Sequence, residues 1–536
     1  MLKDLYKEFL NPGSEYRGKP FWSWNGRLEE KELIRQINVM KDMGLGGFFM
    51  HSRTGLVTEY LGEEWFLLTN ACADAGEKLG MEAWLYDEDR WPSGTAGGMV
   101  TENPEYRLKF LSLRQIAGSE FQWNDKIYSA FSCLLNGLNY SDCSLIQKDT
   151  PKSSYQDKTV LVFTVEEAAK SSFYNGWTDV DRLKKEATDE YIRLTHDQYK
   201  KHCGDRFGKS ILGIFTDEPN RGALMTGFAN PDPNRHWMTP WTEKIPEFFN
   251  NKFGYDILDY LPEIFLKPDG NSVSQVKWHY VELLQQLFLE NFAKPIYDWC
   301  EANNLLLTGH VLHEDNLTSQ VAMQGSLMRF YEYMHYSGVD VLTEDNRNYW
   351  IVKQLTSVAR QLGQKWLLSE LYGCTGWQMN FESHKAVGDW QALFGINLRC
   401  HHLSWYTMEG EAKRDYPASI LHQSAWWKDY HHVETYYSRL GLILNQGEPC
   451  CDMLVISPIE SLWCQIYGGW AESLSPLSPE IQALEKAYVD LFFWLAGSQI
   501  DFDYADEEML GRLAGVERSD SGEPILRVGK AKYRHL

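Results

Sequence analysis

Ile214-Phe215-Thr216-Asp217-Glu218-Pro219 is a short apolar run that meets two acidic residues and a proline. A run of this length reads as a strand buried on both faces, and the proline, with no N–H to give a ladder, ends it. The same pattern returns downstream as Trp366-Leu367-Leu368-Ser369-Glu370. Six more runs of this kind are Pro20-Phe21-Trp22-Ser23-Trp24, Gly47-Phe48-Phe49-Met50-His51, Glu82-Ala83-Trp84-Leu85-Tyr86-Asp87, Leu305-Leu306-Leu307-Thr308-Gly309-His310, Val339-Asp340-Val341-Leu342-Thr343 and His402-Leu403-Ser404-Trp405-Tyr406. Amphipathic stretches separate them, such as 29–43, where Leu33, Ile37 and Met40 fall at helical spacing. Buried strands alternating with helices specify a parallel sheet in an α/β fold, and eight of them close a (β/α)8 barrel of the triosephosphate-isomerase type.

The alternation breaks after the third strand. Residues 111–165 show short β-like pieces and turn residues without a strong helix, which predicts a small β-rich insertion. A turn-rich loop over 220–239 and helices over 243–253 and 276–303 form a second excursion. The barrel accounts for residues 1–440. Beyond it, Asp452-Met453-Leu454-Val455-Ile456-Ser457-Pro458, a helix over 480–497 and Ile500-Asp501-Phe502-Asp503-Tyr504 begin a β-α-β unit. Residues 441–536 therefore read as a partial, flavodoxin-like doubly wound domain that the chain leaves incomplete, as a truncated C-terminus would.

Composition excludes several partners. A formal net charge of −22 disfavours nucleic acid and anionic membranes. No run approaches a membrane span, and the start, Met1 to Glu8, is charged and amphipathic without a signal-peptide core, so a cytoplasmic location is expected. Ten cysteines without a Cys-x-x-Cys pair leave no zinc ribbon or thioredoxin motif, and adjacent Cys450 and Cys451 read as core thiols of a reduced compartment. The 21 Trp and 29 Tyr suit platforms for sugar rings, although a large aromatic core accounts for most of them. Composition leaves the oligomeric state unknown.

An apolar strand that delivers a carboxylate at its C-terminal end is how such a barrel builds acid/base chemistry, because the loops at that face hold the site. Glu218 and Glu370 are the candidate catalytic pair, and two carboxylates facing one cavity are what cleavage of a glycosidic bond needs. Asp217 beside Glu218 would add negative potential and help keep a carboxyl protonated. Either glutamate can also serve as a plain salt-bridge partner of a barrel cation. In Asp87-Glu88-Asp89-Arg90-Trp91, the acids would bind sugar hydroxyls while Trp91 stacks on a ring; the same acids would suit Ca²⁺, though no EF-hand spacing is present, and a solvated turn is the plain alternative.

His51, Arg53 and His310 close strands and would grip hydroxyls, or would simply hydrogen-bond within the barrel wall. With Trp24, Asp87 and Trp91, these histidines are expected to position a ring. No His-x-His or His-Glu-x-x-His spacing supports a metal hydrolase, so no cofactor is required and Ca²⁺ is optional. Glu314, Asp345, Trp405 and Glu409 are second-tier candidates at strand ends. The adjacent histidines 401–402 and 431–432 read as structural, and Ser93-Gly94-Thr95-Ala96-Gly97-Gly98 as a tight loop that lets backbone approach the site.

Pro20-Phe21-Trp22-Ser23-Trp24-Asn25-Gly26, Met43-Gly44-Leu45-Gly46-Gly47, Thr216-Asp217-Glu218-Pro219 and Thr308-Gly309-His310 together resemble the barrel of the large bacterial α-L-rhamnosidase-like glycoside hydrolases. The resemblance continues to Asp503-Tyr504-Ala505-Asp506-Glu507. It implies an inverting enzyme with Glu218 as general acid and Glu370 as the base that activates water, a carbohydrate substrate and, in some members, calcium near the site. The family's long C-terminal β-sandwich domains have no counterpart here. The β-galactosidases that follow a barrel with a flavodoxin-like domain also place glutamates after the fourth and seventh strands, and they retain configuration. A carbohydrate-binding barrel without catalysis is the non-enzyme alternative.

Overall fold

The computed structural model describes residues 2–225 and 237–536, so the loop expected over 220–239 falls largely outside the described residues. Eight parallel strands follow the chain around a ring: β1 Phe21–Gly26, β2 Gly47–Leu56, β3 Glu82–Tyr86, β4 Ile211–Asp217, β5 Leu306–His310, β6 Tyr336–Asp340, β7 Leu368–Leu371 and β8 Leu398–His401. After a two-residue break β8 resumes as β9, Ser404–Trp405, which pairs with β1 through Trp22 to Ser404 and Ser23 to Trp405 and brings the ring round on itself. The fold is an α/β barrel.

Side chains alternate across each strand, and the barrel sorts them by parity. Phe21, Phe49, Trp84, Tyr86, Phe215, Leu368, Leu398 and Cys400 pack together inside. The Phe21 ring meets Phe215 at 4.7 Å and Phe49 and Tyr86 at 5.7 Å, edge to face. The other parity, including Trp22, Trp24, Phe48, Met50, Leu85, Ile214 and Val339, joins the layer between strands and helices. Both faces of a parallel strand are thus apolar, and the sequence carries no alternation from which to read parity. This explains the differences in register. β6 ends at Asp340, three residues before the end expected at Thr343, because Val341 and Leu342 extend the apolar run past the hydrogen-bonded strand. β8 starts at Leu398, four residues ahead of His402.

The insertion is an antiparallel sheet built from Lys109–Ala117, Ile127–Asn136, Asn139–Leu145 and Thr159–Glu167. Trp237–Pro240 pairs with its first strand, and Lys267–Pro268 adds to the opposite edge, so the second excursion of the chain leans on the first.

After the barrel, Leu454–Ile456 and Asp503–Ala505 pair in parallel around the helix Pro479–Gly497, and Ala514–Arg518, Pro524–Val528 and Ala531–Tyr533 form an antiparallel sheet. Buried Arg329 ties this segment to the barrel: its Nε donates to Asp506 Oδ1 at 2.9 Å, its other nitrogens reach Glu282 and Glu460, and it lies over Trp463. Cys450 is exposed and so is not the core thiol expected, while half-buried Cys451 packs against the small core of Leu454, Ala505, Val528 and Tyr533. Among the described residues no helix is long and apolar enough to cross a membrane.

Candidate active site

The C-terminal ends of the strands open into a cavity of about 530 Å³. The barrel lines it with Arg53 from β2, Asp217 and Glu218 at the end of β4, Asp340 from β6, Glu370 from β7 and His402 just after β8. Asp217, Asp340 and Glu370 share the inward parity of the apolar residues one step below them, so each is the first polar residue where its strand leaves the packed interior.

Glu218 has the wrong parity for this. It reaches the cavity because the chain turns into the left-handed region at that residue (φ 49°), a conformation that costs a side-chain-bearing residue free energy and is kept where the surroundings over-determine it. Its N–H donates to the His310 carbonyl at 3.1 Å, which ties the turn to β5.

The two glutamates have unlike neighbours. Burial, then the carboxylates of Asp217, Asp340, Glu370 and Glu314, raise Glu218 well above the ordinary glutamic range. Burial and Asp217 also raise Glu370, but Arg53 pulls it back, His310 Nε2 lies 2.6 Å from Glu370 Oε2, and His402 Nε2 lies 3.5 Å from Oε1. Arg53 is itself held by Asp415, with Nε and Nη2 at 3.0 and 2.9 Å from the two carboxylate oxygens. Asp217 accepts a hydrogen bond from Tyr86 Oη at 2.5 Å and stands 3.6 Å from His310 Nε2.

The Asp87–Trp91 stretch turns inward. Asp87 is buried, accepts from Ser93 Oγ at 2.5 Å and is pushed up to about 8 by burial. Ser93 Oγ also accepts the Asp217 N–H at 2.8 Å, so one hydroxyl couples the ends of β3 and β4. Glu88 accepts backbone N–H bonds from Asp89, Gly94, Thr95, Ala96 and Gly97 at 2.5–3.0 Å, and the Thr95 hydroxyl at 3.2 Å. The glycine-rich loop is a ring of donors closed around one carboxylate. Gly94 and Gly98, at φ 131° and 91°, supply turns that a side chain would obstruct: a Cβ on Gly98 would stand 2.4 Å from the Tyr174 carbonyl oxygen.

The expected site residues therefore separate into groups. Arg53, Trp91, Asp217, Glu218 and Glu370 line the cavity. His310 and Glu314 lie directly behind it; Glu314 Oε2 accepts the Asp340 N–H at 2.8 Å, and burial pushes Glu314 up to about 8. His51 is stacked on Tyr86 at 3.8 Å with Nδ1 bonded to the Ser52 carbonyl, and burial keeps it neutral. Asp87 and Glu88 build the loop and do not meet the cavity.

Two tryptophans require correction. Trp24 has outward parity and packs edge-on against Trp22 and Trp65, so it cannot stack on a ligand. Trp405 is part of the barrel interior, 5.9 Å from the Arg53 guanidinium. His402, read as structural, lines the cavity instead, because the barrel continues its inward parity past β8.

Sequence reasoning also missed Asp340, placing its attention on Asp345 after the overlong sixth strand; an aspartate inside an otherwise apolar strand was the available signal. Tyr416 and, from the excursion between β3 and β4, Leu108, Phe110, Phe173 and Tyr174 carry no motif and reach the cavity only through tertiary folding.

Two overlapping donor sets, Asp217–His310–Glu370 and Glu218–His310–Asp340, each place one ligand atom per residue within 4.8 Å of the others. Asp217 and Glu370 are buried, Glu218 and Asp340 half-buried, and the two sets share His310; with Asp340 Oδ1 lacking a hydrogen-bond partner, these oxygen donors suit a hard cation.

Known proteins agree with this barrel. The solved rhamnosidase of Novosphingobium sp. PP1Y superposes with a TM-score of 0.67 at 15% identity, covering 99% of this chain and 66% of that one. A Formosa agariphila protein named "Putative beta-glucuronidase" is 19% identical over 91% of this chain and 45% of its own length. The chain thus spans from under half to about two thirds of these relatives. A family model described as alpha-L-rhamnosidase matches residues 174–475, more than half of the chain and including β4 to β8 with Glu218 and Glu370, and the chain belongs to that glycoside hydrolase family, Glyco_hydro_106.

Proposed function

We propose that this chain carries the active site of an exo-acting, inverting α-L-rhamnosidase that releases a terminal sugar from a plant-type glycan or glycoside. The observation that supports this most is the unlike surroundings of two glutamates on one cavity: four neighbouring carboxylates raise Glu218, while Glu370 is bonded to His310 and has His402 and Arg53 beside it. Environments that separate two carboxyl groups in this way divide the acid and base roles between them. Glu218 gives its proton to the glycosidic oxygen as the C1–O bond breaks. Glu370 takes a proton from the water that attacks C1 from the opposite face, and solvent restores both groups. His310 holds the Glu370 carboxylate in place. Asp217 and Asp340 would hold a Ca²⁺ ion, which supplies positive charge for binding sugar hydroxyls.

Arg53 is the only Arg or Lys among the described lining residues, and Asp415 occupies its guanidinium.

Glu218→Gln and Glu370→Gln should each lower kcat on a methyl α-L-rhamnoside by about 10²–10⁴-fold while melting like the parent. The first-formed sugar, followed by NMR, should carry the inverted anomeric configuration. Full activity in either variant removes that residue from the mechanism, and a first product of retained configuration removes the inverting scheme.

A further inference from the structure

We infer that the excursion between β3 and β4, which contains the insertion and the turns on either side of it, builds the leaving-group end of this cavity, and that this end takes a flat apolar aglycone, such as an aryl or polyphenolic group, in preference to a second sugar. The inference rests on the proposed role of Glu218 as the acid. The group that protonates the bridging oxygen stands on the side from which the leaving group departs. Glu218 sits on β4, the strand that the insertion precedes in the chain. The segment after it, through Gly222, lies flush against the insertion: a Cβ on Gly222 would be 3.5 Å from both Leu108 Cδ2 and Phe110 Cε1. Glu370 and His402 come from β7 and the end of β8, three and four strands round the ring from β4.

The wall on the Glu218 side is aromatic. Phe173 meets Trp91 edge-on at 5.3 Å and Tyr174 at 5.2 Å, and Leu108 and Phe110 continue the surface. Two of its polar groups are already engaged. Ser171 Oγ accepts the Phe173 N–H at 3.1 Å, and Asp179 is paired with Arg182 at 3.0 Å. A second pyranose would bring several hydroxyls to a surface with few free partners, and burying them unpaired is costly. A planar ring loses little water-bonding there and gains ring–ring contact. The cavity, at about 530 Å³, holds more than a single pyranose, so this end has room for an occupant of its own.

The test uses the full chain and free 4-methylumbelliferone, a flat bicyclic phenol, with binding followed by calorimetry. The parent should bind it, and Phe173→Ala should weaken binding by about tenfold. Phe173→Leu, which keeps apolar bulk without a ring face, serves if the alanine variant misfolds, and circular dichroism checks both. In turnover, Phe173→Ala should lower kcat/KM for 4-methylumbelliferyl α-L-rhamnoside about tenfold more than for a rhamnosyl disaccharide. Equal losses on the two substrates, or phenol binding that is absent or unchanged by the substitution, overturns the inference. Phenol binding without hydrolysis of any rhamnoside would instead sink the proposed function and leave the apolar subsite standing.

Discussion

Glu434 is the counter-charge that anchors β8 to the helix His431–Leu444, and replacing it with glutamine should destabilise the barrel in a pH-dependent way. The carboxylate is fully buried. It accepts the Gly18 N–H at 2.8 Å, an Arg399 nitrogen at 2.7 Å and His401 Nε2 at 3.1 Å. Arg399 is 6% exposed, so in Glu434→Gln a guanidinium stays in the interior without its partner, and an amide nitrogen faces donors. Breaking a buried pair in this manner costs about 3–5 kcal/mol. For 536 residues unfolding together, each kcal/mol lowers Tm by about 0.9 °C, so a fall of roughly 3–5 °C at pH 7 is expected.

The sign with pH follows from linkage. Arg399 and His401 depress the folded-state pKa of Glu434 far below its unfolded value of about 4.3. Its contribution is therefore complete above that unfolded value and is lost as pH falls toward the folded one. Thermal melts of parent and variant at pH 7, 5 and 3.5 should show a constant gap between the first two and a smaller gap at the third. A variant that melts within a degree of the parent at pH 7, or a gap that persists unchanged into acid, would refute the reasoning. The network matters for chemistry because Arg399 and His401 fix the strand whose next residue, His402, lines the cavity.

Glu88→Gln should cost about 1–3 kcal/mol for each backbone donor left unpaired, open the 93–98 loop to proteolysis and lower kcat through the Ser93–Asp217 link; a variant with parental kcat and protease resistance would show that the loop holds itself. Treatment with a chelator should reduce turnover and lower Tm, and Ca²⁺ at 100 times its Kd should restore about 2.7 kcal/mol of stability; unchanged rate and Tm after verified metal removal would leave the four carboxylates with a purely protonic role.

The eightfold alternation of apolar runs and amphipathic stretches was legible in the sequence because each buried strand and each helix must satisfy its own backbone and hide its own apolar face. The strand-end acids at 217–218 and 370 were legible for the same reason: charge interrupts a run that has nowhere else to hide it. Trp24, Asp340 and His402 were misread at the next level. In a parallel strand both faces are apolar, so Trp22-Ser23-Trp24 carries no mark of which side meets the barrel interior, and Val341 and Leu342 conceal where β6 stops.

The sequence by itself determined the α/β barrel and the place of Glu218 and Glu370 at strand ends, since those follow from local pattern. Only the tertiary structure decided that Glu218 turns into the cavity against its strand's parity, that Asp87 and Glu88 spend themselves on a loop, and that Phe173, just after the insertion, lines the same hollow. Each of these depends on contacts between residues tens to hundreds of positions apart, and no local pattern records them.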